Sequence, residues 1–119
     1  MLQRSLLILV AVFALGASTW IDGVEDLPLM PQLTRSATPP VVFDKPEGRI
    51  VQASAEGLVP ASDVRRFYES SLPQLGWVAA GPLRWVRGKE KLTIELTATH
   101  TRTTVRFTVA PERKAGERE

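Results

Sequence analysis

The side chains able to act chemically on a substrate are few and scattered. One histidine, His100, stands in a chain without cysteine. A metal centre draws three or four ligands from His, Cys, Asp and Glu, so this inventory predicts no transition-metal site. For nucleophilic catalysis His100 would have to meet Ser54, Ser62, Ser70 or Ser71 together with a carboxylate, and none of those serines lies in a sharp nucleophile turn. Asp44 and Glu47 share the stretch Asp44-Lys45-Pro46-Glu47-Gly48. General acid-base work needs two carboxylates in different environments, one with a raised pKa, whereas this composition is that of a turn. Gly48, Gly57, Gly76, Gly81 and Gly88 are isolated and form no phosphate-cradling loop. The sequence predicts no catalytic residue, no metal and no cofactor.

Binding has more material. Trp77 and Trp85, with Arg84, Arg87 and Lys89 close by and Arg65 and Arg66 upstream, offer an aromatic and basic set of the kind that meets a glycan, a lipid headgroup or another polyanion. The competing reading puts both tryptophans in the core and leaves the cations as a solubilising surface. Net charge is only +2, but its distribution is uneven. Asp22 to Asp63 holds seven acids against three bases, and Arg65 to Arg106 holds eight bases against three acids. No basic run exceeds two residues, which is the pattern of a solvated face.

The elements that must position these residues begin with an address. Arg4 precedes an unbroken apolar run from Leu6 to Leu15, then Gly16, Ala17 and Ser18. A positive start, an apolar stretch of about 7–15 residues and a small-residue exit make an export signal, here residues 1–18. A bilayer span needs about 20 predominantly apolar residues, and length therefore favours cleavage near Ser18. The alternative is a retained inner-membrane anchor over residues 5–21, with Trp20 at the interface. Arg4 stays on the cytoplasmic side in both cases, so the folded part is delivered to the periplasm or secreted. Without cysteine it has neither disulfides nor the acceptor for a lipid anchor. Absence of asparagine removes any acceptor for N-linked sugar, and the setting expected is a bacterial cell envelope. Nucleic acid is not an expected partner there.

Five of the nine prolines fall between Pro28 and Pro46, and residues 19–47 read as an extended, proline-rich linker. Its apolar residues Leu27, Leu29, Met30 and Leu33 suggest that it folds back on the domain or docks on a partner. Val41-Val42-Phe43 has the composition of an added edge strand.

The domain proper is expected over 48–111. Residues 49–56 alternate as a half-buried strand. Pro60, Ser62 and Asp63 open a helix whose stripe is Val64, Phe67, Tyr68, Leu72 and Leu75; Pro73 should kink its last turn and Gly76 should end it. Trp77–Ala80 and Leu83–Arg87 flank a Gly-Pro turn. Leu92, Ile94, Leu96 and Ala98, then Val105, Phe107 and Val109, alternate with Thr, Glu and Arg, which predicts an antiparallel hairpin with one buried face. Glu95 and Arg106 should pair across it. Residues 112–119 form a charged tail expected to be disordered. The order β-α-β-β-β-β describes an α+β domain, one helix on a curved, mostly antiparallel sheet of four to five strands.

Phe67-Tyr68 followed by Leu72-Pro73-Gln74-Leu75-Gly76-Trp77, then a strand, a basic turn and an alternating hairpin, resembles a family of small exported proteobacterial proteins of uncharacterised function. In those proteins a helix ends at Gly-Trp and leads into a sheet. More loosely, the order is similar to helix-grip domains of outer-membrane assembly lipoproteins. The resemblance covers residues 49–110 and implies an envelope accessory domain; the reading expected for the chain is a binding domain whose partner is an envelope protein, with the membrane surface as a further partner. It carries over no catalytic residue. A small periplasmic enzyme and an anionic lipid or polyanion-binding module are the competing readings.

Overall fold

The computed structural model describes residues 20, 21, 24 and 26–112; the apolar run 6–15, the expected cleavage point and the tail from 113 onward lie outside them. The described chain is an α+β unit with one α-helix and one antiparallel sheet. Its strands are β1 (Thr34–Arg35), β2 (Val41–Lys45), β3 (Gly48–Gly57), β4 (Val78–Ala79), β5 (Arg84–Arg87), β6 (Glu90–Thr99) and β7 (Arg102–Pro111), with α1 (Ala61–Ser71) between β3 and β4. The sheet thus has seven strands rather than four to five. The excess, β1 and β2, comes from the proline-rich segment: β2 contains the edge strand expected at Val41–Phe43, whereas β1, two residues long, is too short for period two to announce it.

Strand order is β1-β3-β7-β6-β5-β4, with β2 also on β3. Both β1 and β2 lie on the same side of β3, β1 against Glu56 and Ala55 and β2 against Gly48 to Gln52. Since β3 and β4 stand far apart in this order, α1 carries the chain across one face of the sheet. Alternation then decides which side chains meet it. Val51, Val109, Leu92 and Trp85 form one buried row, and Ala53, Phe107 and Ile94 form the next. Val64, Tyr68 and Leu72 cover these rows, with the Tyr68 ring edge-on to Phe107 at 5.5 Å between centroids.

Helix ends follow local chemistry. Pro60 is the N-cap residue, and its carbonyl accepts from the Asp63 and Val64 N–H groups; no side chain caps this end, and Asp63 contributes charge to the first turn. Pro73, which has no N–H to give, converts the last turn into a 3₁₀ segment, Leu72–Leu75. Gly76 then turns left-handed at φ 94°, while its N–H reaches Pro73 and that of Trp77 reaches Leu72, a Schellman closure.

The segment expected to be a linker belongs to the folded unit. Ile21, Val24, Leu27, Met30 and Leu33 are all buried in the common core. The Tyr68 hydroxyl donates to the Pro28 carbonyl at 2.8 Å and accepts the Met30 N–H at 3.2 Å. Gly57 lets the same segment approach, for a β-carbon there would lie 2.3 Å from the Gln32 carbonyl oxygen. Leu27, Met30 and Leu33, with Leu29 packed against them, thus fold back on the domain, the first of the two arrangements their apolar character suggests.

Candidate functional site

The aromatic and basic set does not assemble into one surface. Trp77 and Trp85 are 1% and 3% exposed, so both rings are core residues and neither is offered to a ligand. Arg87 is occupied: its guanidinium lies 4.4 Å from the centre of the Trp77 ring, donates to the Leu75 carbonyl at 3.2 Å, and pairs with Asp26 at 3.6 Å and Glu90 at 3.5 Å. It clamps the helix end to β5. Arg65 and Arg66 sit on the exposed side of α1, Arg66 pairing with Asp63 at 3.3 Å. Arg84, opposite Thr93, belongs to the sheet face turned away from the helix. Lys89 is exposed in the β5–β6 turn.

The residues considered for catalysis are equally separate. His100 is exposed in the β6–β7 turn at φ 28°, outside the ladder, whereas Ser54 pairs with Arg106, well along the hairpin from that turn. Ser62 and Ser70 lie exposed on α1. Asp44 accepts from the Arg49 side chain at 3.4 Å across the β2–β3 turn, both groups being exposed. Among the described residues no group of three or more His, Cys, Asp and Glu is placed to hold a metal ion. The described residues include a concavity of about 230 Å³ lined by Ile21, residues 35–40, Ala53 and Ser54, and an open groove of about 320 Å³ along α1 at Asp63, Arg66, Phe67 and Gln74.

One feature of the surface is unusual in its composition. In β2, Val41, Val42 and Phe43 are 42%, 48% and 46% exposed, although the strand is fully paired to β3 on one side. Among the described residues no strand pairs with its other side, which is an edge of the sheet. Free edges are templates for further strand pairing and are usually blunted by charge or proline. Here Pro40 and Pro46 bracket the strand and Lys45 ends it, yet its centre is three consecutive apolar residues.

The main-chain groups on that edge follow from the turn. Lys45 pairs with Gly48 around the two-residue loop Pro46-Glu47, so 45, 43 and 41 bond towards β3 and the intervening residues bond outward. Further along β3 the same parity holds, because the Ser36 N–H donates to the Ser54 carbonyl. Val42 and Asp44 thus present unused N–H and C=O groups. Sequence composition signalled a strand at Val41–Phe43, but not that its side chains stay exposed.

The sheet face away from α1 is polar and flat in composition: Glu95 lies directly opposite Arg106 with a 3.8 Å ion pair, and Thr93 and Thr97 face Thr108 and Thr104. No helix among the described residues is long and apolar enough to cross a membrane. Comparison with family models, with curated proteins and with solved structures finds no match to this chain.

Proposed function

We propose that this protein is an exported, non-catalytic binding domain of the bacterial cell envelope, working through protein contacts. The observation that carries the reading is the β2 edge, where Val41, Val42 and Phe43 stay about half exposed on a domain whose other large apolar residues are mostly withdrawn into the core. Apolar residues along a strand with one unpaired edge are the ingredients of strand addition, in which main-chain bonds give affinity and alternate side chains give specificity. Delivery outside the cytoplasm rests on Arg4, the run Leu6–Leu15 and the small residues after it. Ile21 packs in the core and is therefore unavailable to a membrane span. That shortens the anchor alternative further below the length of about 20 residues a span requires and favours cleavage.

The experiment joins location to contact. The full chain carries a C-terminal reporter that is active only outside the cytoplasm, together with a photo-crosslinking residue at Val42 or, as a control, at Thr97. Reporter activity and crosslinks formed from position 42 but not from 97 are the expected result. A silent reporter, or equal crosslinking from both positions, overturns the reading.

A further inference from the structure

We infer that the occupant of the β2 edge is a second copy of the same strand, so that the protein forms a two-fold dimer with one sheet continuous across the interface. This rests on the reading of β2 as the contact edge and names its partner. The argument is one of register. Val42 and Asp44 are the residues whose main-chain groups point outward, and an antiparallel copy must set outward residues against outward residues.

Three two-fold registers satisfy that condition within the strand. Centring on Asp44 places two like carboxylates opposite one another, which is destabilising. Centring on Val42 sets Asp44 against Pro40, leaving the Asp44 carbonyl opposite a residue with no N–H. Centring on Phe43 sets Val42 against Asp44 of the second copy and Asp44 against its Val42, so every outward donor meets an acceptor. The two Phe43 rings then face each other at a non-hydrogen-bonded site, where the strands approach to about 4.5 Å between α-carbons. Val41 lies under the aliphatic stem of the opposing Lys45.

The same register accounts for the prolines. Pro40 falls opposite Pro46 of the second copy at both ends, so residues without N–H groups meet and the ladder stops on both strands together. A longer foreign strand would find no donor at either proline. Among the described residues each chain has one such edge, because the opposite side of the sheet ends in β4, only Val78–Ala79. The assembly therefore closes at two copies instead of growing into a fibre. Five residues a side make a small interface, at the weak end of the specific range, below about 1,200 Å² in total. Association should accordingly be reversible and visible over a roughly hundredfold range of concentration around the micromolar scale.

Sedimentation velocity of the purified protein should show monomer passing to dimer over that range. Val42→Pro removes an outward donor while leaving the bonds to β3 through Val41, Phe43 and Lys45; it should weaken the dimer at least tenfold with the circular dichroism unchanged. Phe43→Glu and Phe43→Lys should each be monomeric, and an equimolar mixture of the two should recover a heterodimer, since the register sets each against the other. A protein that stays monomeric at all concentrations, a dimer indifferent to Val42→Pro, or a mixture that does not associate overturns the proposal. If the protein is monomeric but still crosslinks to a different envelope protein from position 42, the second copy is excluded and the contact edge stands. If position 42 crosslinks to nothing, both fall.

Discussion

The hydroxyl of Tyr68 is 2.8 Å from the carbonyl oxygen of Pro28, forty residues earlier in the chain. Tyr68 lies wholly inside the protein, between α1 and the sheet, and its phenol also accepts the Met30 N–H. One side chain therefore satisfies two main-chain groups of residues 28–30, beside Leu27 and Met30 in the core. Burying an amide without a partner is costly, and an irregular segment has no ladder of its own to supply one. The phenol does for residues 28–30 what a neighbouring strand would do for a sheet.

Tyr68→Phe keeps the ring packing on Phe107 and removes only the hydroxyl. The Met30 N–H and Pro28 carbonyl are left without it, at a cost of about 1–3 kcal/mol. Chemical denaturation should report that loss, and native-state hydrogen exchange should locate it in residues 21–33 ahead of β6 and β7. Uniform loss of protection across the sheet would show that the segment is not held by this contact.

The same burial makes a prediction about alkaline pH. Desolvation is the main cause pushing the Tyr68 phenol above its ordinary value of 10.0, and the bond from the Met30 amide offsets it only in part. Because the folded-state value is raised, the unfolded chain releases this proton first as pH climbs. The contribution is fully present below pH 10.0 and is lost above it, as ionisation draws the protein towards the unfolded state. Tyr68 is the only tyrosine in the chain, so phenolate absorbance reads it alone. Phenolate should appear together with unfolding, at a pH above 10.0. Phenolate forming while the fold remains intact would contradict it.

What the sequence disclosed and what it concealed divide along the range of the interactions. The alternation of Leu92, Ile94 and Val105, Phe107, Val109 is a local signal, and it identifies the β6–β7 hairpin and places Glu95 opposite Arg106. Gly76 and Pro73 act within one turn, and their effects on the helix end were equally legible. The bond from Tyr68 to Pro28 leaves no trace in either neighbourhood, because a tyrosine on a helix stripe has the same pattern whatever its hydroxyl meets. Trp77 and Trp85 show the same limit for the candidate site: a tryptophan in a strand among arginines fits a binding face or a core, and only the side taken by α1 decides. For β2 the composition was informative, but exposure depends on how the sheet order ends.

Gly57 tests how closely the N-terminal segment is applied. Its β-carbon would lie 2.3 Å from the Gln32 carbonyl oxygen and 3.3 Å from the Leu33 α-carbon, contacts with backbone that no rotamer change relieves. Gly57→Ala should cost about 1–3 kcal/mol, the range of an overpacked core. Limited proteolysis should then cut within residues 26–40 at protease levels that leave the unaltered protein whole. Gly88→Ala is the control for glycine replacement in a turn, since its β-carbon meets nothing within 4 Å, and it should spare this segment even though its φ of 61° carries some strain.

Arg87 offers a sharper distinction, between a ligand-binding cation and a structural one. A polyanion site would lose affinity on Arg87→Ala and keep its stability. The contacts to the Trp77 ring, the Leu75 carbonyl, Asp26 and Glu90 require the opposite. The bond to the carbonyl and the stacking on the ring are worth about 1–3 kcal/mol together in a partly buried setting, and the two solvent-facing ion pairs add little. Arg87→Lys keeps the charge but loses the planar group that covers the indole while reaching the carbonyl, so it should recover less than half of the stability lost in Arg87→Ala. Thermal unfolding followed by tryptophan fluorescence measures both. Since ion pairs are screened and stacking with a buried ring is not, the difference between Arg87 and Ala should persist in molar salt; its disappearance there would assign the role of Arg87 to the carboxylates rather than to Trp77.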